Sequence, residues 1–117
     1  MPFEIFRKED DPRFYFRLVD ERGKVLLNSQ AYKSKYGCRK GIASVRRNGG
    51  NEGQYVKKIL KEKYLTIYIK APNNEIIGQI DNIPLNYVKK IYSKLLKLTQ
   101  SHEVQDLTKK AGHTTRI

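Results

Sequence analysis

The chain has 117 residues, with 24 Lys and Arg against 12 Asp and Glu, and a formal charge of +12. That length holds one compact domain or two small units sharing a core, and no apolar run reaches the roughly 20 residues of a bilayer span, so no membrane association is expected. The single cysteine, Cys38, excludes an internal disulfide and a cysteine-rich zinc site and suits a reducing cytosol.

The elements follow in chain order. Met1 to Asp10 carries no apolar h-region, so no secretory signal is expected and the protein reads as cytoplasmic. Phe3-Glu4-Ile5-Phe6 reads as an opening strand. Phe14, Phe16 and Leu18 then alternate with Tyr15, Arg17 and Val19, a turn follows at Asp20-Glu21-Arg22-Gly23, and Val25-Leu26-Leu27 completes a hairpin. Ser34 is placed to cap a helix whose apolar stripe is Cys38, Ile42 and Val45, and Asn48-Gly49-Gly50 reads as its left-handed stop. Asn48 to Gly53 is a linker. Tyr55 to Leu60 reads as a second opening strand, and Leu65, Ile67 and Ile69 alternate with Thr66, Tyr68 and Lys70. The turn Pro72-Asn73-Asn74 leads to Ile76-Ile77, and a second helix, with Pro84 near its start, carries Val88, Tyr92 and Leu95. Val104 to Thr108 reads as a last short strand.

The two halves repeat. Phe14 to Leu65, Leu18 to Ile69 and Val25 to Ile76 are each 51 residues apart, and the helical stripes are offset by 50. Two such units can join their sheets edge to edge with both helices on one face, which predicts an α+β domain with a pseudo-twofold axis and one open sheet face. The expected domain spans residues 1–108, with repeat one over about 1–50, repeat two over about 54–108, and a flexible basic tail at 109–117. An internal pseudo-dimer of this kind is expected to be a monomer.

The first half also resembles a known family. Phe3-Glu4-Ile5, Phe14-Tyr15-Phe16-Arg17-Leu18, Tyr32-Lys33-Ser34-Lys35 and Gly41-Ile42-Ala43-Ser44-Val45-Arg46-Arg47-Asn48 are similar to the YegP-like family of small bacterial proteins. The resemblance implies tandem β-β-β-α-β repeats forming one antiparallel sheet with two helices on one face, the final strands being exchanged between repeats. It is good over residues 3–50 and holds over 55–108 only in pattern and spacing. The second copy has Ile91-Tyr92 where the first has Gly41-Ile42, and it lacks the Ser-Val-Arg-x-Asn ending. The family has no agreed biochemical activity, so the resemblance bears on fold and leaves function open.

Catalytic chemistry finds little material. His102 and His113 lie in polar sequence near the C-terminus without a partner at metal-ligand spacing, so neither a metal nor a cofactor is expected. Cys38 falls on an apolar stripe and reads as a small buried hydrophobe. Glu9-Asp10-Asp11 and Asp20-Glu21 read as turn residues. Gly49-Gly50-x-x-Gly53 follows a helix, where a phosphate loop would join a strand to a helix. Gly41 reads as a point of close helix–sheet approach and Ser44 as a back-bonding residue. No enzymatic activity is expected.

Charge exceeds what solubility requires, with a pI near 9.9. Lys57, Lys58, Lys61 and Lys63 crowd the start of the second copy. Two surfaces compete for a polyanion. The open sheet face is expected to present Tyr15, Arg17, Thr66, Tyr68 and Lys70, with Lys57 and Lys58 beside them, as a stacking platform for bases. The helical face is expected to present Arg39, Lys40, Arg46 and Arg47 on the first helix and Lys90, Lys94 and Lys97 on the second, as cations without aromatics. Weak, sequence-tolerant binding of DNA or RNA is the leading expectation. The alternative is an interaction module that docks an acidic protein through a sheet edge or face.

Overall fold

The alternating runs become strands closed by turns that match at a fixed interval. The computed structural model describes residues 2–61 and 63–109. β1 (Phe3–Phe6), β2 (Tyr15–Val19) and β3 (Val25–Asn28) precede the helix α1 (Lys35–Asn48). After a single 3₁₀ turn come β4 (Tyr55–Lys61), β5 (Tyr64–Lys70) and β6 (Ile76–Pro84), a second 3₁₀ turn at Leu85–Tyr87, α2 (Val88–Leu98) and β7 (Val104–Asp106). In the β2–β3 turn the Asp20 N–H donates to Lys24 O and the Gly23 N–H to Asp20 O, both at 2.9 Å. The β5–β6 turn repeats this 51 residues on, with Ala71 N–H donating to Glu75 O and Asn74 N–H to Ala71 O, also at 2.9 Å. Gly23 at φ +80° and Asn74 at φ +71° fill the same left-handed place, which glycine and asparagine tolerate best.

The strands form one seven-stranded sheet in the order β4-β5-β6-β3-β2-β1-β7. β3 and β6 meet antiparallel at its centre, through the pair Asn28↔Gln79. The expected all-antiparallel sheet is corrected at one edge. β7 pairs with β1 in parallel, so the sheet is mixed. The chain reaches that edge from α2, on the far side of a crossover, and enters it in the direction of β1. Among the described residues α1 is followed directly by the 3₁₀ turn and β4, and no fourth strand closes the first half.

One sheet face is buried under the helices. Phe3, Ile5, Phe16, Leu18, Leu27, Leu65, Ile67 and Ile69 pack with Cys38, Ile42 and Val45 of α1 and Leu95 of α2. Each such aliphatic side chain contributes on the order of 1.5–3 kcal/mol by leaving water. Ser34 caps α1 as expected, its Oγ accepting from Gly37 N–H at 3.0 Å. The left-handed stop at Asn48-Gly49 is corrected: Gly49 is right-handed, at φ −71°. Its glycine serves the junction with α2, because a Cβ there would lie 2.6 Å from Thr99 Cβ. Asn48 is held by its own helix, its Nδ2 donating to Ser44 O at 2.9 Å. Pro84 ends β6, ahead of the 3₁₀ turn that leads into α2.

β7 is anchored by charge as well as by the sheet. The Asp106 carboxylate lies 2.9 Å from Lys35 Nζ in the first turn of α1 and accepts from the Thr108 hydroxyl. Burial pushes this carboxyl up, but Thr108 and Lys35 outweigh it and hold the pKa at about 2, below the ordinary 3.8. A depressed carboxylate stabilises the fold above its unfolded pKa and loses that contribution as pH falls toward the folded value. Urea unfolding of Asp106→Asn at pH 7 is therefore expected to show a loss of about 1–2 kcal/mol, and the variant's deficit is expected to shrink between pH 4 and 2. A pH-independent deficit would count against the ion pair.

Gly41 makes a second measurable point. A Cβ there would collide with the Tyr32 hydroxyl and come within 3.0 Å of Phe16 Cε2. Gly41→Ala gains helix propensity yet overpacks, and a net destabilisation of about 1–2 kcal/mol is expected from denaturant curves. Adding Tyr32→Ile is expected to return part of it, since Ile83 and Ile91 hold the corresponding places 51 and 50 residues on.

Candidate nucleic-acid interface

The face of the sheet away from the helices carries a continuous polar row. The registers place Val56, Tyr68, Gln79, Asn28, Arg17, Glu4 and Gln105 side by side across all seven strands. Because side chains alternate faces, the next rows bring Tyr15 against Phe6 and Lys58 against Thr66.

Much of the expected stacking platform is already occupied by the protein itself. Tyr15 is only 7% exposed. Its ring stacks on Phe6 at 5.7 Å, Lys8 Nζ sits 4.2 Å above it, and its hydroxyl donates to Asp11 Oδ2 at 2.6 Å. The Arg13 guanidinium, with Tyr15 and the Arg13 N–H, holds the Asp11 carboxyl well below the usual carboxylate range. The loop between β1 and β2 thus folds over the sheet face and covers Tyr15. Arg17 lies over the Phe6 ring and donates from Nε to Glu4 Oε1 at 2.8 Å. Thr66 is buried, donating to Asp81 Oδ1 at 2.9 Å. Tyr68 and Lys70 are half-buried and Lys58 is exposed on the same face. Lys57 is corrected to the opposite side, where its Nζ approaches the Tyr92 ring of α2 at 5.7 Å. The strand pleat separates it from Lys58. Of the two tyrosines expected on the platform, Tyr68 remains where bases could stack, and Tyr64, 45% exposed four residues earlier on β5, lies on the same face.

The helical surface keeps most of its expected cations. Arg39, Lys40 and Arg47 on α1 and Lys90 and Lys97 on α2 are exposed, and Lys89 joins them. None of these six forms an ion pair among the described residues. Two expected members are corrected. Arg46 donates from Nε to Ser101 O at 2.8 Å and packs its guanidinium over Phe3. Lys94 lies 3.3 Å from Asp20 Oδ2 and 4.0 Å from Glu21 Oε1. Asp20 is itself held charged by the Lys24 N–H, against burial, with the Arg22 N–H and Lys94 assisting.

The helices also carry aromatics. Tyr36 is 72% exposed near the start of α1, with Lys40 Nζ 5.4 Å from its ring, and Tyr87 is 51% exposed just before α2. Tyr36 is the exposed aromatic that reading by stripe passes over. It lies two positions before Cys38, roughly 200° around the helix from the buried stripe, and that angle is a legible sign of exposure. Its neighbours Arg39 and Lys40 follow at i+3 and i+4, on the same face. At the other end the helices converge: Gln100 Nε2 donates to Arg46 O at 2.9 Å and the Tyr55 hydroxyl to Gly49 O at 2.7 Å.

The remaining candidates lie apart from one another. Cys38 is fully buried in the core. His102 is exposed, and His113 with the rest of 110–117 lies outside the described residues. Among the described residues no cluster of three metal-ligating side chains forms, and no helix is long and apolar enough to cross a membrane. A cleft of about 610 Å³ lies between the β2–β3 turn, β6 and α2, with Lys90 and Lys94 on its rim and Ile83 and Ile91 in its wall.

The comparisons agree with this geometry. The YegP protein of Escherichia coli O157:H7, a UPF0339 protein, is 41% identical over 76 residues, which are 65% of this chain and 68% of that protein. The chain belongs to the UPF0339 family. The Yersinia pestis YegP is 30% identical over 107 residues, 91% of this chain and 95% of that protein. A family model described as a domain of unknown function (DUF1508) matches residues 10–55. The solution NMR structure of a UPF0339 protein from Shewanella oneidensis superposes with a TM-score of 0.83 at 26% identity, covering 97% of this chain and 98% of that one. The Escherichia coli yegP structure, described as a protein of unknown function, gives 0.80 at 31% identity over 90% of each chain. The UPF0339 fold therefore extends through both halves of this chain, whereas the DUF1508 match is confined to residues 10–55.

Burial pushes the Cys38 thiol up to about 11, from an ordinary value near 9, with Arg39 offsetting only part of the rise. A thiol so placed stays protonated and shielded. Its reaction with a disulfide reagent at pH 8 is expected to follow global unfolding, slowing in step with added stability. Rapid stoichiometric labelling of the native protein would show an accessible thiolate instead.

Proposed function

We propose that this chain is a non-catalytic nucleic-acid-binding protein of the cytoplasm, monomeric, that contacts phosphates weakly and without sequence preference. Its two halves are proposed to be tandem units of one β-β-β-α-β pattern, the first lacking its closing strand; the matching turns and the constant 51-residue interval support this. The observation that carries the functional reading is the set of six unpaired cations on the outer sides of α1 and α2 with Tyr36 exposed among them. Cations fixed on a folded surface without internal counterions attract a polyanion and release its condensed counterions on contact. An exposed ring beside them adds stacking that any base satisfies. The open sheet face is the lesser surface, because Tyr15 and Arg17 are already engaged.

The test is a fluorescence-anisotropy titration of nuclease-treated protein with labelled single- and double-stranded DNA and RNA at several salt concentrations. If the six cations all meet phosphates, the log–log slope is expected near −5 on duplex DNA and about −4 on single strands. Arg39→Ala with Lys40→Ala should flatten the slope by about 2. Tyr36→Ala should weaken single-strand binding about fivefold or more, while Tyr68→Ala leaves it unchanged. A loss with Tyr68→Ala alone would return the site to the sheet. Absence of binding at low salt would overturn the reading.

A further inference from the structure

β1 and β4 hold matching places, each third from the central β3–β6 seam, and among the described residues a further strand covers only β1. Their registers correspond: Phe3 lies opposite Leu18 and Tyr55 opposite Ile69, with Leu18 and Ile69 51 residues apart. β7 lies along β1, pairing Val104 with Phe3, Gln105 with Glu4 and Asp106 with Ile5. Along β4, seven residues long, no described strand lies on the outer side. The chain cannot supply one from its own first half. Only residues 49–54 separate α1 from β4, and the segment that follows a helix in the position of β7 is there used as β4 itself.

An outermost strand presents every second N–H and C=O to solvent and is a template for another strand. β4 is neither short nor bent away at its centre. Val56 is 41% and Ile59 69% exposed, an unusual burden of apolar surface for an edge. Between them, Lys57 and Lys58 point to opposite faces, and neither makes an ion pair among the described residues. A second copy adding its own β4 in an antiparallel register centred on these residues would set lysine against lysine, which is unfavourable across a strand pair. The strand already docked on β1 shows the fitting chemistry: an aliphatic residue, Val104, packed on the core, and a carboxylate, Asp106, paired with a lysine.

We propose that the outer edge of β4 docks an extended acidic segment of a partner protein, with the pattern aliphatic-acid-acid-aliphatic set against Val56, Lys57, Lys58 and Ile59. The aliphatic residues cover Val56 and Ile59, the two carboxylates meet one lysine on each face, and backbone hydrogen bonds supply the rest. The inference rests on residues other than those of the nucleic-acid reading, so the two stand or fall separately.

The probe is a fluorescein-labelled peptide, Thr-Val-Glu-Glu-Val-Thr, titrated against the full chain at low salt. Saturable binding is expected, with amide shifts and new exchange protection confined to residues 55–59 in NMR spectra. The same peptide N-methylated at alternate backbone nitrogens should bind at least tenfold more weakly. Lys57→Glu with Lys58→Glu should lose the acidic peptide and gain the corresponding Lys-Lys peptide. Arg39→Ala with Lys40→Ala should leave peptide binding unchanged whatever it does to nucleic acid. Binding that survives N-methylation or the charge reversal would overturn the proposal, as would shifts centred elsewhere or no saturation at millimolar peptide. Concentration-dependent dimerisation abolished by Lys58→Pro would assign the edge to a second copy and overturn it likewise.

Discussion

The two three-stranded halves of the sheet join where Leu27 of β3 lies against the backbone of Gly78 in β6, and the single-sheet architecture depends on that contact. A Cβ at Gly78 would stand 2.7 Å from Leu27 Cδ2 and 2.9 Å from Cγ, so no larger residue fits without moving a fully buried leucine. Only one residue pair, Asn28↔Gln79, bridges the seam in register. With so little ladder, side-chain packing has to hold the halves together, and glycine is the residue that lets a leucine fill the join from the helical side. A one-sheet core then gives both helices a common floor, which a three-stranded half with one helix would not provide at this size.

From that floor the helices converge at their C-termini and present their N-termini outward. Gly49 against Thr99, Arg46 on Ser101 O and Gln100 on Arg46 O fix the junction. Neither helix has an acidic residue in its first turn, where a carboxylate would ordinarily complement the positive end of the helix dipole. Lys35 and Tyr36 stand there on α1, with Lys35 paired to Asp106 of β7 and Arg39 and Lys40 in the next turn, and Lys89 and Lys90 stand there on α2. Local electrostatics is therefore set against helix stability at the N-terminal end of α2, whereas at α1 the Asp106 carboxylate stands beside Lys35. The helix ends thus direct a positive field outward from the core.

Much of this fold is legible from the order of residues, for a physical reason. The period-2 runs around Phe16 and Ile67 and the turns at Asp20 and Ala71 are local, and local patterns fix strands and hairpins without help from the rest of the chain. The Ser34 cap and the Gly41 approach are local too. What escaped depends on distant parts of the chain. Tyr15 alternates with core residues and so should be exposed, but residues 7–13 fold back and seal it with Lys8 and Asp11. Arg46 lies off the stripe, yet the chain leaving α2 brings Ser101 O to it. Gly49 looks like a helix stop and is a helix–helix contact, visible only once Thr99 is opposite. The parallel placement of β7 follows from a crossover whose destination the short strand Val104–Asp106 does not encode by itself.

The residues that most clearly mark the family turn out to be occupied with folding, and that narrows where function can lie. In the first half Tyr32 stacks on Phe16 at 6.0 Å and its hydroxyl sits over Gly41. Ile83 and Ile91 lie 51 and 50 residues on from Tyr32 and Gly41, two medium side chains where the first half has one large and none. Ser34 caps, Asn48 ties back to Ser44, and Arg46 bridges to the end of α2. Of the run Gly41 to Asn48, only Arg47 is exposed. Among the described residues, the groups free to meet a partner are Arg47 of the signature and, outside it, Tyr36, Arg39 and Lys40 on α1, the exposed lysines of α2 and the outer edge of β4.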